Sequence, residues 1–343
     1  MASDLDQAAK LAQEIVNASS QPTLVVGSGL SAAYGVRGMG GLAEHLVAKI
    51  KPEDGEAEIW TDFCKALEAV DLEQALQQVS ISDGLHGRIL QCTRDVIAED
   101  DLGVLRQIID RKVRLSLSAL FTHMFNSTHR VIHVITTNYD RLIEYAADDA
   151  GFMHDTGFSP GYLRKREINW AAALKKVQNG PRVVEVTKVH GSVDWYADQS
   201  RIVRAISTVP DSVSSLLPLI VTPGTRKYQD THDEPYRSMI QRADDCLRKA
   251  TGFLCVGYGF NDQHIQPILL ERAVQEQVPV VVLARTLTPN ARDLVIKQCA
   301  GPYLAMERDG NGTRVFTRDW PDGKTIVDCS LWDLGGFIET LIN

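Results

Sequence analysis

The sequence predicts an α/β protein, with a Rossmann-like, mainly parallel sheet flanked by helices and a helical insertion after the first strand. Three observations predict it. Short apolar, β-branched runs recur at Thr23–Val26, Val131–Ile135, Val183–Val189, Phe253–Val256 and Val278–Leu283. Segments of helical periodicity alternate with them, the pattern of strands joined by crossovers. Four of the runs lead at once into small or polar residues: Gly27-Ser28-Gly29-Leu30-Ser31, Thr136-Thr137-Asn138-Tyr139-Asp140, His190-Gly191-Ser192 and Gly257-Tyr258-Gly259. In an open α/β sheet, ligands bind beyond the carboxyl ends of the strands. The four segments can therefore converge on one crevice.

Residues 4–18 have helical spacing, and Ser19-Ser20-Gln21-Pro22 breaks it before the first strand. From 42 to 126 the reading is helical throughout: Leu42–Ile50, Ile59–Val79, Leu85–Ala98 and Leu102–Phe125, with breaks at Pro52 to Gly55 and Ser82 to Gly84. Such a block serves either as a packed layer or as a cap over a site. The α/β pattern then resumes with strand Val131–Ile135, helix Asp140–Ala150 and strand Val183–Val189. Leu217–Val221 reads as a strand ended by Thr222-Pro223-Gly224, followed by helix Pro235–Ala250 and strands Phe253–Val256 and Val278–Leu283. Asp309-Gly310-Asn311-Gly312 marks a hairpin within 302–320, and Leu331–Ile342 reads as a final helix. The expected organisation is 1–41 with 127–300 as a nucleotide-binding unit, 42–126 as the insertion, and 301–343 as a C-terminal hairpin and helix. That last segment, with Trp320 and Trp332, either closes the core or forms an oligomer interface.

The 343 residues carry a net charge of −8, and 44% are hydrophobic. A substantial core is feasible, and a uniformly basic, nucleic-acid-binding surface is not. The acidic start Met1-Ala2-Ser3-Asp4-Leu5-Asp6 has no basic region followed by an apolar stretch, so no signal peptide is expected. No apolar run reaches the roughly 18 residues of a membrane span. The six cysteines form no Cys-x-x-Cys pair, which argues against a cysteine zinc site and fits a reducing cytoplasm.

Each segment has a chemical and a structural reading. Gly27, Gly29 and Ala32 give G-x-G-x-x-A, which lets backbone approach a pyrophosphate or simply makes a tight turn. Neither a second strand within about 30 residues nor an acidic ribose ligand follows, as a dehydrogenase would require. Asn138 can hold a ribose hydroxyl or a water, and Asp140 can accept from a carboxamide; both types also cap helices. His190, at a strand end beside a glycine, suits a general base, or is structural. Gly257, Tyr258 and Gly259 can cradle an adenosine, and Asn261 or Asp262 can cap the next helix. Arg285 follows the strand Val278–Leu283 and can face the same ligand. Of the other histidines, only His264 lies near a segment of this kind, and His232 has no comparable setting.

Together these residues resemble the sirtuin family, and within it the bacterial sirtuin-like defence branch. The family's Gly-Ala-Gly-x-Ser loop resembles Gly27-Ser28-Gly29-Leu30-Ser31, and its Thr-Gln-Asn-x-Asp segment resembles Thr136-Thr137-Asn138-Tyr139-Asp140. Its catalytic His-Gly-Ser matches His190-Gly191-Ser192, and its Gly-x-Ser adenosine loop is similar to Gly257-Tyr258-Gly259. Two departures are plain. The paired cysteines of the deacylases' zinc module are absent. The Gly-Ile-Pro-Asp-Phe-Arg stretch is replaced by Gly35-Val36-Arg37-Gly38-Met39-Gly40-Gly41.

The resemblance and its departures imply hydrolysis of NAD+ as substrate, without an acyl-lysine acceptor, a metal or a further cofactor. Asn138 and His190 would be catalytic. Gly27, Ser28, Gly29, Leu30, Ser31, Asp140, Gly257, Tyr258, Gly259 and Arg285 would bind the dinucleotide. The resemblance further implies a regulated cytoplasmic effector of anti-phage defence, a homo-oligomer beside a HerA-type ATPase. Three other readings are a protein deacylase, a non-hydrolytic sensor of NAD or ADP-ribose, and a DNA-processing subunit of an ATPase complex. The last would use Arg164-Lys165-Arg166 with Lys175, Lys176 and Arg182, a run that otherwise reads as a solvated helix face.

Overall fold

The computed structural model describes residues 4–18, 22–177, 179–208, 216–222, 224 and 233–342. Its strands are β1 (Thr23–Val26), β2 (Val131–Thr136), β3 (Met153–Asp155), β4 (Leu163–Lys165), β5 (Val183–Lys188), β6 (Gly191–Ala197) and β7 (Val203–Ile206). They continue as β8 (Leu217–Ile220), β9 (Phe253–Val256), β10 (Val280–Ala284), β11 (Tyr303–Asp309), β12 (Gly312–Phe316) and β13 (Lys324–Ile326). Nine of them form one sheet in the order β13-β12-β11-β10-β9-β1-β2-β5-β3. Every pairing from β11 to β3 is parallel, and only β12 and β13 run antiparallel at one edge. The predicted α/β architecture is therefore present.

The position of β1 explains the site. Val25 pairs with Ile135 of β2 on one side and Cys255 of β9 on the other. The chain runs outward from β1 to β2 and β5, then returns to β9 and continues the other way. β1 therefore borders the point where strand order reverses, where a crevice opens beyond the carboxyl ends. All four β1 residues are buried, as a strand covered on both faces must be.

The helices before β2 are α1 (Asp4–Ala18), α2 (Ser28–Ala32), α3 (Met39–Lys49), α4 (Ala57–Ala66), α5 (Leu72–Gln77), α6 (Asp83–Ile109) and α7 (Ser116–Met124). The expected single helix Ile59–Val79 is split, because Asp71 caps α5 by accepting from Gln74 N at 2.9 Å. The expected break between Ala98 and Leu102 is absent. Asp100 and Asp101 lie inside one continuous α6, where Asp100 pairs with Arg37 and Asp101 with Arg141. Leu42, Phe63, Leu76 and Ile89 of the insertion share one core cluster with Leu24 and Val134 of the sheet.

Beyond β2 lie α8 (Leu142–Asp149), α9 (Ala172–Lys176), α10 (Tyr236–Lys249) and α11 (Gln266–Gln275). A second, antiparallel sheet, β4-β7-β6-β8, was not foreseen apart from β8. Its strands are short, and all seven residues of β6 are buried, so no alternation marks it. The final segment is a short helix Leu334–Phe337 followed by a π-helical turn Ile338–Ile342, in place of the expected helix from Leu331. Residues 19–21, Pro223 and His232 lie outside the described residues. No helix among the described residues is long and apolar enough to cross a membrane.

Candidate active site

The glycines of the first and fourth segments pack against each other. Gly27 N donates to Val256 O at 3.0 Å and Gly29 N to Gly257 O at 3.0 Å. A Cβ on Gly27 would lie 2.4 Å from Gly257 O, and one on Gly257, whose φ is +60°, would lie 2.3 Å from Leu30 N. Only glycine permits this approach. The same bonds commit the Gly29 amide to a protein carbonyl. Leu30 is buried beneath the loop.

At the end of β2, Asn138 is anchored by both amide hydrogens. Its Nδ2 donates to Gly27 O at 3.0 Å and to Ser31 Oγ at 2.9 Å. An amide oxygen has two lone pairs, so Asn138 Oδ1 is the atom suited to a ligand or water. Asp140 is buried, and that burial pushes its carboxyl above the ordinary range against the opposing pull of the Lys188 ammonium and the Ser31 hydroxyl. Lys188, fully buried on β5, donates to the Asp140 carbonyl and to Glu144 Oε1, the latter at 3.2 Å. Leu142 N donates to Asp140 Oδ1 at 3.2 Å, whereas the N-cap of α8 is Arg141, which makes no side-chain cap bond, so neither Asn138 nor Asp140 is the expected cap.

His190 follows β5, and its carbonyl accepts from Val221 N at 2.9 Å. Its Nε2 lies 2.9 Å from Asp262 Oδ2, with side-chain exposures of 8% and 5%. Asp262 Oδ1 accepts from His264 N at 3.0 Å and Ile265 N at 3.1 Å, just before α11. Sequence reasoning saw only the cap in Asp262. Tyr258 is buried against Phe260, its ring centroid 4.9 Å away, and burial holds its hydroxyl well above the ordinary tyrosine range.

These groups meet around a cavity of about 210 Å³. Its floor contains Gly27, Ser28, Ser31, Asn138, Asp140 and His190, with Tyr258, Gly259 and Asp262 on one side. Val36, Arg37, Met39 and Leu42 from the α3 region, Glu73 of α5 and Ile97 of α6 complete the wall. The insertion thus borders the site. Arg37 supplies a fixed cation, steadied by Asp100 through a backbone bond of 2.9 Å and an ion pair of 3.3 Å. Arg37 lies in the stretch Gly35–Gly41 that replaces the family's motif, whereas no sequence signal singled out Glu73, which reaches the site through tertiary packing. Gly29, Leu30 and Gly257 support the lining from beneath. Arg285 is exposed just past β10 and does not line the cavity.

The basic run departs from its expected solvated helix face. Arg164 and Lys165 lie on strand β4, and Arg164 pairs with buried Asp194. Arg166 donates to Gly157 O at 2.9 Å, and Lys175 pairs with Asp155 at 2.7 Å and with Glu185. Two of the six cations, Arg164 and Lys175, are thus paired with carboxylates within the fold.

The family model of the SIR2-like domain matches residues 132–285, from β2 through β10. Among solved structures, a Sir2 homologue in complex with NAD is 14% identical, with 82% of this chain and 84% of that one covered and a TM-score of 0.43. A Sir2 homologue variant in complex with ADP-ribose is 15% identical, covering 82% and 86%, with a TM-score of 0.41. A structure concerned with the mechanism and regulation of Sir2 enzymes is 15% identical, covering 84% and 88%, with a TM-score of 0.41. No curated protein matches the sequence.

Proposed function

We propose that the protein is an NAD+ glycohydrolase, cleaving the nicotinamide–ribose bond to give nicotinamide and ADP-ribose. The observation that carries the proposal is the meeting of Asn138, Asp140 and His190 in one cavity beyond the ends of β2 and β5. The SIR2-like match across those segments supports an NAD-dependent chemistry.

Cleavage at the ribose builds positive charge on the sugar as nicotinamide leaves. The leaving group is already cationic, so the protein's task is orientation, charge stabilisation and delivery of water. Asp140, Asp262 and Glu73 place three carboxyl groups around the cavity, against one fixed cation, Arg37. That balance suits a cationic ring and an oxocarbenium-like sugar, with Arg37 available to a phosphate. Asn138 Oδ1 would hold the attacking water or a ribose hydroxyl. Asp140 would hold the carboxamide, and His190 would accept the proton.

Product identity tests the reading. Incubation with NAD+ should yield nicotinamide and ADP-ribose in equal amounts, with no dependence on an acylated peptide. Product formation only in the presence of an acyl-lysine peptide would contradict it. The proposal extends to a regulated role in anti-phage defence, as a homo-oligomer beside a HerA-type ATPase. Co-expression should then change nicotinamide release, and an unchanged rate would remove that extension.

A further inference from the structure

We infer that Asp262 is the positioning residue for His190, fixing which ring nitrogen takes the proton; this rests on the hydrolase reading above. Four observations support it. The two side chains approach to 2.9 Å, both are more than nine-tenths buried, and both line the cavity. The carboxylate is itself held in place: Oδ1 accepts from His264 N and Ile265 N, which turns Oδ2 toward the imidazole.

The 2.9 Å contact between the buried Nε2 and Oδ2 atoms is one of charge proximity. Active-site hydrogen bonds of this kind tighten when substrate binds. With Nε2 turned to a carboxylate, the neutral ring carries its proton on Nε2, and Nδ1 is the nitrogen left to accept one. After transfer, the imidazolium is paired with Asp262 in a site with little water, where the pairing is strongest.

The other titratable groups of the cavity are Tyr139, Asp140 and Tyr258 at the strand ends, Arg37 ahead of α3 and Glu73 of α5. Burial raises both tyrosines, which keeps them neutral. Among the described residues, Asp262 is the carboxylate within ion-pair distance of His190.

Asp262→Asn separates the two roles of this side chain. Asparagine keeps the oxygen that accepts from His264 N and Ile265 N ahead of α11, while its NH2 group cannot accept from Nε2. The measurement is the side-chain 15N shifts of His190 against pH in histidine-labelled protein, assigned with His190→Asn, alongside nicotinamide release. In the parent the neutral ring should be protonated at Nε2. In Asp262→Asn the neutral ring should lose its preference for a proton on Nε2, and release should fall roughly 10²-fold with little change in KM. A capping role alone would leave the His190 15N shifts as in the parent, and that result overturns the inference. A parent that releases no nicotinamide contradicts the hydrolase reading instead, while the 15N comparison still decides the pair.

Discussion

The side-chain amide of Asn138 donates to Ser31 Oγ at 2.9 Å, tying the end of β2 to α2 across the start of the crevice. The Ser31 hydroxyl in turn stabilises the Asp140 carboxylate. One buried serine thus fixes two of the groups assigned to NAD+.

Ser31→Ala should therefore impair chemistry more than folding. Loss of one hydrogen bond costs about 1 kcal/mol of stability. An Asn138 side chain held through Gly27 O alone should lower kcat for nicotinamide release about tenfold or more. Steady-state kinetics beside a thermal melt checks this, and an unchanged kcat would show that Asn138 needs no such anchor.

The loop contact between Gly257 and Leu30 should tolerate no side chain. Gly257→Ala combines a positive φ with a Cβ 2.3 Å from Leu30 N. The expected cost is about 2–4 kcal/mol, read as a lower urea midpoint at constant slope. A variant of parental stability would mean that the two loops separate easily.

Asp101 on α6 accepts from Arg141 N and Nη2 and from Tyr145 Oη, each at 2.6 Å. It is fully buried, and Arg141 directly follows Asp140. Asp101→Ala would leave a buried guanidinium without its partner, at a cost of about 3–5 kcal/mol. Chemical denaturation checks the figure. A loss below about 1 kcal/mol would show that water replaces the carboxylate.

His133 on β2 gives a pH signature. The side chain is 42% exposed; its partial burial opposes its charge, but the Cys246 sulfur and the Glu185 carboxylate, 3.1 Å from Nδ1, outweigh it and raise the imidazole to about 10. Its folded value lies above the unfolded value of about 6.5. Its contribution is therefore full below about pH 6.5, shrinks as pH rises, and is lost above about 10. The stability gap between the parent and His133→Gln should be widest at pH 6 and narrow toward pH 10. A gap independent of pH would contradict the pairing.

The parallel strands and their polar ends were legible because β1, β2 and β5 are rich in β-branched residues, β9 is a short apolar run, and each ends in residues suited to a turn or a ligand. Asn138, Asp140 and His190 could be named for the same reason. Asp262 was hidden because its cap to His264 and Ile265 explains an aspartate there without His190. Glu73 and Ile97 were hidden because their contribution depends on how the insertion folds back, which local periodicity does not encode. Glu99-Asp100-Asp101 was misread as a helix break, since the sequence does not reveal that Asp100 and Asp101 meet arginines distant along the chain.

Nicotinamide release from NAD+ by the purified chain, beside Asn138→Ala and His190→Ala, tests the central claim most directly. Release by the parent, reduced about 10²–10⁴-fold in each folded variant, is the predicted result. Undiminished release by both variants would contradict the site, and NAD+ left unbound and intact by the parent would contradict the activity.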